Sequence, residues 1–209
     1  MRKYIQHSIL FFFTAFISQA IFANPSLSAA AKLSGLLNQF STFQAQFKQK
    51  TIDPENNILQ TSDGKMMLVR PGRFRWETNN PTHQIVITDG KVLWVYDIDL
   101  KQATEQKIQN SAINPAKLLS GDTHALLNNF DVRMIPHQNV LVFQLMPKKP
   151  NQQFRSVSMS FVNDKLSAMQ IENSLQQTTT FSFSNVKLNE NLSPSLFKFK
   201  APNGVDVLH

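Results

Sequence analysis

The chain has 209 residues, of which 42% are apolar and only 17% charged, a balance that excludes a disordered chain or a coiled coil and suits one well-buried domain. It contains no cysteine, which removes disulfide frameworks, thiolate metal sites, cysteine nucleophiles and cysteine-linked lipid anchors. Lys and Arg outnumber Asp and Glu by 21 to 14, a net +7 that suits an acidic partner or an anionic surface without selecting either.

Arg2 and Lys3 form a short basic head, followed by an apolar run from Ile9 to Phe22, small residues and Asn24-Pro25. This is the order of a secretory signal peptide, and Gln19 interrupts the apolar stretch before it is long enough to span a membrane. Residues 1–23 are therefore expected to be removed, with cleavage after Ala20 and after Ala23 both compatible, leaving a single exported domain over 24–209. Without Arg2 and Lys3 the net charge is +5.

Leu33, Leu36, Leu37 and Phe40 fall on one face of a helix predicted over Leu27 to Phe40, with Ser26 as its cap. The period then changes: Phe43, Ala45 and Phe47 alternate with Gln44, Gln46 and Lys48, a strand with one dry face. After the polar loop 53–57, strands are expected at 65–70, 73–78, 83–88 and 91–96, separated by turn signals at Asp63-Gly64, Pro71-Gly72 and Asp89-Gly90. Asn114-Pro115 opens a helical segment that Gly121-Asp122 interrupts and that ends near Asn129. Strands resume at 132–135, 140–146, 154–162, 166–172 and 178–188, with Asn163-Asp164 as a two-residue hairpin turn. Two short helical pieces cannot cover a flat sheet of this length, so a strongly curved antiparallel sheet wrapped over the helices is expected. Its dry faces are rich in Phe and Met, which suits an adaptable lining, although alternation alone favours a packed core.

Catalytic patterns are scarce. His83, His124, His137 and His209 have no ligand spacing to another His or a carboxylate, and neither a G-x-S-x-G elbow nor a phosphate-binding glycine loop is present. Asp97 and Asp99 flank a hairpin tip, where carboxylates ordinarily serve the turn itself. Arg73-Phe74-Arg75-Trp76 places basic and aromatic residues together, but strand alternation sends them to opposite faces, and nucleic acid is not expected as a partner. No metal or cofactor is implied, and an enzyme is not expected; a secreted esterase would lack a nucleophile motif.

The run Leu68-Val69-Arg70-Pro71-Gly72-Arg73-Phe74-Arg75-Trp76-Glu77, followed by Asp89-Gly90-Lys91, Leu93-Trp94 and Tyr96-Asp97, closely resembles the periplasmic outer-membrane lipoprotein carrier (LolA) family. Phe43-x-Ala45-x-Phe47-x-Gln49, Asn114-Pro115-Ala116-x-Leu118-Leu119, Leu145-Met146-Pro147-Lys148 and the ending Phe197-x-Phe199-x-Ala201-Pro202-x-Gly204-Val205-Asp206-Val207 extend the likeness over nearly the whole exported chain. The resemblance implies a mainly β fold: a half-open antiparallel β-barrel covered by a helical lid that encloses a hydrophobic cavity. It implies a monomeric chaperone that takes acylated lipoproteins from an inner-membrane ABC transporter and passes them to an outer-membrane receptor. The expected cavity lining is Phe43, Phe47, Met66, Leu68, Phe74, Trp76, Trp94 and Phe143. The expected latch is Arg70, gripping main-chain groups around Leu118, Leu119 and Ser120. A lipid-binding envelope-stress sensor of the same fold is the alternative.

Overall fold

The computed structural model describes residues 28–107, 115–149 and 154–208. The expected signal peptide and its cleavage points lie outside these residues, as do Asn114 and His209. Helix α1 (Ala29–Asn38) starts behind Ser28, whose hydroxyl accepts from the Ala31 amide at 3.2 Å, so the cap is Ser28 and not the expected Ser26. Leu33, Leu36 and Leu37 form its buried stripe, and the polar face is left to water.

The strands follow as β1 (Thr42–Ile52), β2 (Ile58–Val69), β3 (Arg73–Asn80), β4 (Gln84–Thr88), β5 (Val92–Asp97) and β6 (Gln102–Lys107). Two short helices, α2 (Pro115–Ser120) and α3 (Thr123–Asn128), separate these from β7 (Phe130–His137), β8 (Val140–Pro147), β9 (Ser156–Val162), β10 (Lys165–Glu172) and β11 (Thr178–Leu188). A C-terminal arm ends in β12 (Asp206–Leu208). All belong to one sheet in the order β12-β6-β5-β4-β3-β2-β1-β11-β10-β9-β8-β7. Every neighbouring pair is antiparallel except β12 and β6. The end strands β12 and β7 are not partners, so the sheet is an open barrel.

The helices lie across the opening. α2 packs on β2 and β3, α3 on β7, and α1 on both α3 and β7, so the helical segment spans from one half of the sheet to the other. On the outside, the C-terminal arm covers β3 to β6: a 3₁₀ turn at Pro194–Phe197 packs on β3, and Phe199 lies 5.0 Å from the Trp94 ring and 5.4 Å from that of Tyr96.

Two turn expectations are corrected. Asp63-Gly64 lies inside β2, where the register against β3 shifts between these two residues. A glycine there marks a bulge and a close approach, not a chain reversal. A Cβ on Gly64 would sit 1.9 Å from the Glu77 carbonyl oxygen and 2.9 Å from the Phe47 ring. The β4–β5 connection is also longer than two residues, since Thr88 pairs with Leu93. Asp89 accepts there from the amides of Lys91 and Val92, and Gly90 alone takes positive φ, at 97°. The Asn163-Asp164 turn is as expected, with φ of 49° and 60°, the type I′ signature.

Candidate functional site

The concave face of the sheet is apolar near the helices. Phe43, Met66, Leu68, Phe74 and Phe143 retain no solvent-accessible surface, and Phe47 and Trp76 keep only 2% and 7%. No gap as wide as a water molecule therefore borders the first five, and the expected hollow is filled at these positions by the protein's own side chains. The register explains the grouping: Met66 faces Ala45 on one side and Trp76 on the other, while Phe43 faces Leu68, which faces Phe74. Met66 thus points inward, and Met67 lies on the opposite face beside Gln44 and Arg75. The Phe47 ring stacks on Trp76 with centroids 3.9 Å apart, crossing β2 at Gly64, the one position without a side chain to block it. Phe181 meets Trp76 edge-on at 5.5 Å.

Trp94 is a correction. Thr88 and Leu93 lie opposite one another, buried, in register with Phe74; Trp94 is the next residue and points to the other side, toward Phe199. Adjacent residues of a strand cannot share a face. Trp94 thus belongs to the packing under the C-terminal arm and lines nothing inside.

Arg70 leaves the end of β2 toward the helices. Its Nε donates to the Leu119 carbonyl at 2.8 Å, its Nη1 donates to the Thr123 hydroxyl at 3.1 Å, and the guanidinium lies 4.5 Å over the Phe40 ring. The Thr123 hydroxyl in turn donates to Asn38 Oδ1 at 3.0 Å, which carries the connection into α1. Two residues beyond Arg70, the Gly72 amide donates to the Ser120 carbonyl at 2.8 Å. Positive φ at Gly72, 73°, turns that amide toward α2. Burial lowers the Arg70 pKa from its ordinary value, yet an arginine keeps its charge in this setting. Of the expected latch partners, Leu119 and Ser120 supply carbonyls, and Leu118 packs on the apolar core. Thr123 and Asn38 join them without any signal in the sequence; only the chain-distant meeting of three elements brings them together.

The outer face is ionic. Glu77 pairs with Arg75 and with Lys65, the latter at 2.9 Å. Burial pushes its carboxyl up, and the bonds and charges of Lys65 and Arg75 outweigh that, holding it below the usual glutamate range. Asp97 and Asp99 serve their hairpin: Asp97 accepts from the Leu100 amide at 2.9 Å and Asp99 from the His83 amide at 3.0 Å. Among the described residues no cluster of His, Asp and Glu could hold a metal ion.

Residues 38–200 match the family model described as "Outer membrane lipoprotein carrier protein LolA". An outer-membrane lipoprotein carrier protein of Coxiella burnetii (strain CbuK_Q154) is 44% identical over 182 residues, covering 86% of each chain. Another of that description from Pseudomonas paraeruginosa is 40% identical, covering 87% of this chain and 88% of its own. Among solved structures, an uncharacterized conserved protein of Thermus thermophilus shares the fold with a TM-score of 0.54 at 11% identity, covering 85% of this chain and 98% of that one.

Proposed function

The chain belongs to the outer membrane lipoprotein carrier family, and from that premise we propose that it receives acylated lipoproteins from an inner-membrane ABC transporter and hands them to an outer-membrane receptor. Its function is that of a lipoprotein carrier and its cargo is lipoprotein. The transporter and receptor steps, the residue roles, the division into a signal peptide over 1–23 and one domain over 24–209, and the absence of catalysis belong to the proposal. On this reading, the exported form begins within Ile21 to Asn24, and N-terminal sequencing of protein recovered from the periplasm checks it.

The observation that carries the reading is an apolar concave face beneath the helices, shut by a few polar bonds. An acyl chain of about sixteen carbons costs about 12 kcal/mol to expose to water, at ~0.8 kcal/mol per methylene, so a periplasmic crossing demands a dry container. At Phe43, Met66, Leu68, Phe74 and Phe143 no surface is open to water, so a chain entering there displaces Phe and Met side chains and the helices above them. Arg70 and Gly72 hold those helices through bonds of ~1–3 kcal/mol each. Bonds of that size are lost on loading and regained on unloading, which raises the free energy of the loaded state and favours onward transfer.

The test is release of newly made lipoproteins from spheroplasts by the purified protein, followed by transfer to the receptor. A carrier performs both steps. A sensor of the same fold binds acyl chains and releases no lipoprotein, an outcome that would overturn the proposal.

A further inference from the structure

The inward face of the sheet changes character along β1. Phe43, Ala45 and Phe47 are buried and apolar, whereas Gln49 and Thr51 continue the same face as half-buried polar residues. Gln49 lies between Ser62 and Phe181, at the edge of the apolar zone, and Thr51 lies between Gln60 and Thr179. About 26 Å of strand, at ~3.3 Å per residue, separates Thr51 from Phe43. The stacked Phe47 and Trp76, with Phe181, form the boundary between the two zones.

This rim is polar without being ionic. Lys48, Lys50, Asp63 and Lys65 alternate to the outer face, and the inward positions of β1, β2 and β11 at this end are neutral. The Thr51 and Thr179 hydroxyls bond each other at 3.0 Å, which leaves one of their two protons free to donate. The side chains of Gln49 and Ser62 bond no other described residue. Neutral donors and acceptors at the end of an apolar tract fit esters and amides, and they hold no cation for a phosphodiester.

We propose that Gln49, Thr51, Ser62 and Thr179 form a hydrogen-bonding subsite for the ester and amide groups at the acylated N-terminus of a lipoprotein, and that the missing cation disfavours phospholipid at the same place. The proposal rests on the carrier reading. It places the acyl chains toward Phe43 and their uncharged head at the rim, and it makes the head, not the chains, the feature that distinguishes cargo from bulk membrane lipid.

The experiment titrates the exported chain, residues 24–209, with a synthetic tripalmitoyl-cysteine peptide and, separately, with dipalmitoyl phosphatidylglycerol. Wild type should prefer the peptide, and Gln49→Leu/Thr51→Val should weaken peptide binding about tenfold while leaving phospholipid binding unchanged. Thr51→Ser, which keeps the hydroxyl, should retain the preference, and Thr179→Val supplies a second loss if the double variant does not fold. An unchanged peptide affinity in the folded variants, or an equal loss for both lipids, overturns the subsite alone. Wild type that binds neither lipid overturns the carrier reading and the subsite with it.

Discussion

At one end of the curved sheet, a half-buried arginine and a glycine amide reach for the carbonyls of α2 and hold a helix over the apolar interior. At the other end the same interior runs out into Gln49, Thr51 and Thr179, neutral side chains at half burial. In the first arrangement each main-chain acceptor can exchange Arg70 or Gly72 for water, as the proposed latch requires. The second is a fixed feature of strand alternation and has no comparable switch. On the proposed reading, control sits at one end and recognition at the other.

The largest effect should come from the point where the two zones meet. Gly64→Ala puts a Cβ against the Glu77 carbonyl, backbone against which no side chain can yield. The β2–β3 register must shift, and about 3 kcal/mol of stability should be lost, read as the urea midpoint at constant m. Arg70→Leu acts on the control end alone. It should still accept lipoproteins released from spheroplasts and fail at transfer to the receptor, since the loaded state no longer sacrifices a latch; normal transfer would remove Arg70 from that role. A milder version is Thr123→Val, which cuts the link between Arg70 and Asn38. About 1–2 kcal/mol should be lost, with faster amide exchange in α1 and α3 than in β9 and β10; uniform exchange would show that the link does not couple the helices.

The smallest effect concerns the outer face beneath both ends. Because the folded Glu77 carboxyl titrates below its unfolded counterpart, its pairing stabilises the protein above the ordinary glutamate value of about 4.3. That contribution should vanish as pH falls through the lowered folded value. Glu77→Gln should flatten this acid limb of a stability-against-pH curve and leave rim and latch behaviour at neutral pH intact.

Strand parity makes much of this legible from residues alone. Phe43, Phe47, Phe74 and Trp76 fall on the dry face by simple alternation, and the helical interruption near residues 115–128 is visible in its Pro and Gly signals. Arg70 is different: as a strand-end residue it looks like any solvated arginine, and only the family resemblance draws attention to it. Trp94 misleads because its aromatic bulk outweighs its position next to Leu93. Tyr96 at the same parity, and Phe199 in the C-terminal arm, are the signals of a second apolar layer outside the sheet. Gly64 reads as a turn because Asp-Gly is a strong local signal, and the backbone contact that demands it comes from a different strand. Thr123 and Asn38 leave no trace in the sequence, since their partnership exists only once α1, α3 and β2 have converged.

An open sheet has a further consequence, since strands of neighbouring molecules can add to its free edges. β12 offers a brief target of three residues and lies parallel to its neighbour. β7 is longer and carries exposed Met134 and Ile135, the composition that invites a foreign strand. Pro136 removes a backbone donor beside them, and the exposed Asp131 and Arg133 place opposite charges along the same strand. The open edges of this barrel are thus accompanied by safeguards against the molecule polymerising through them.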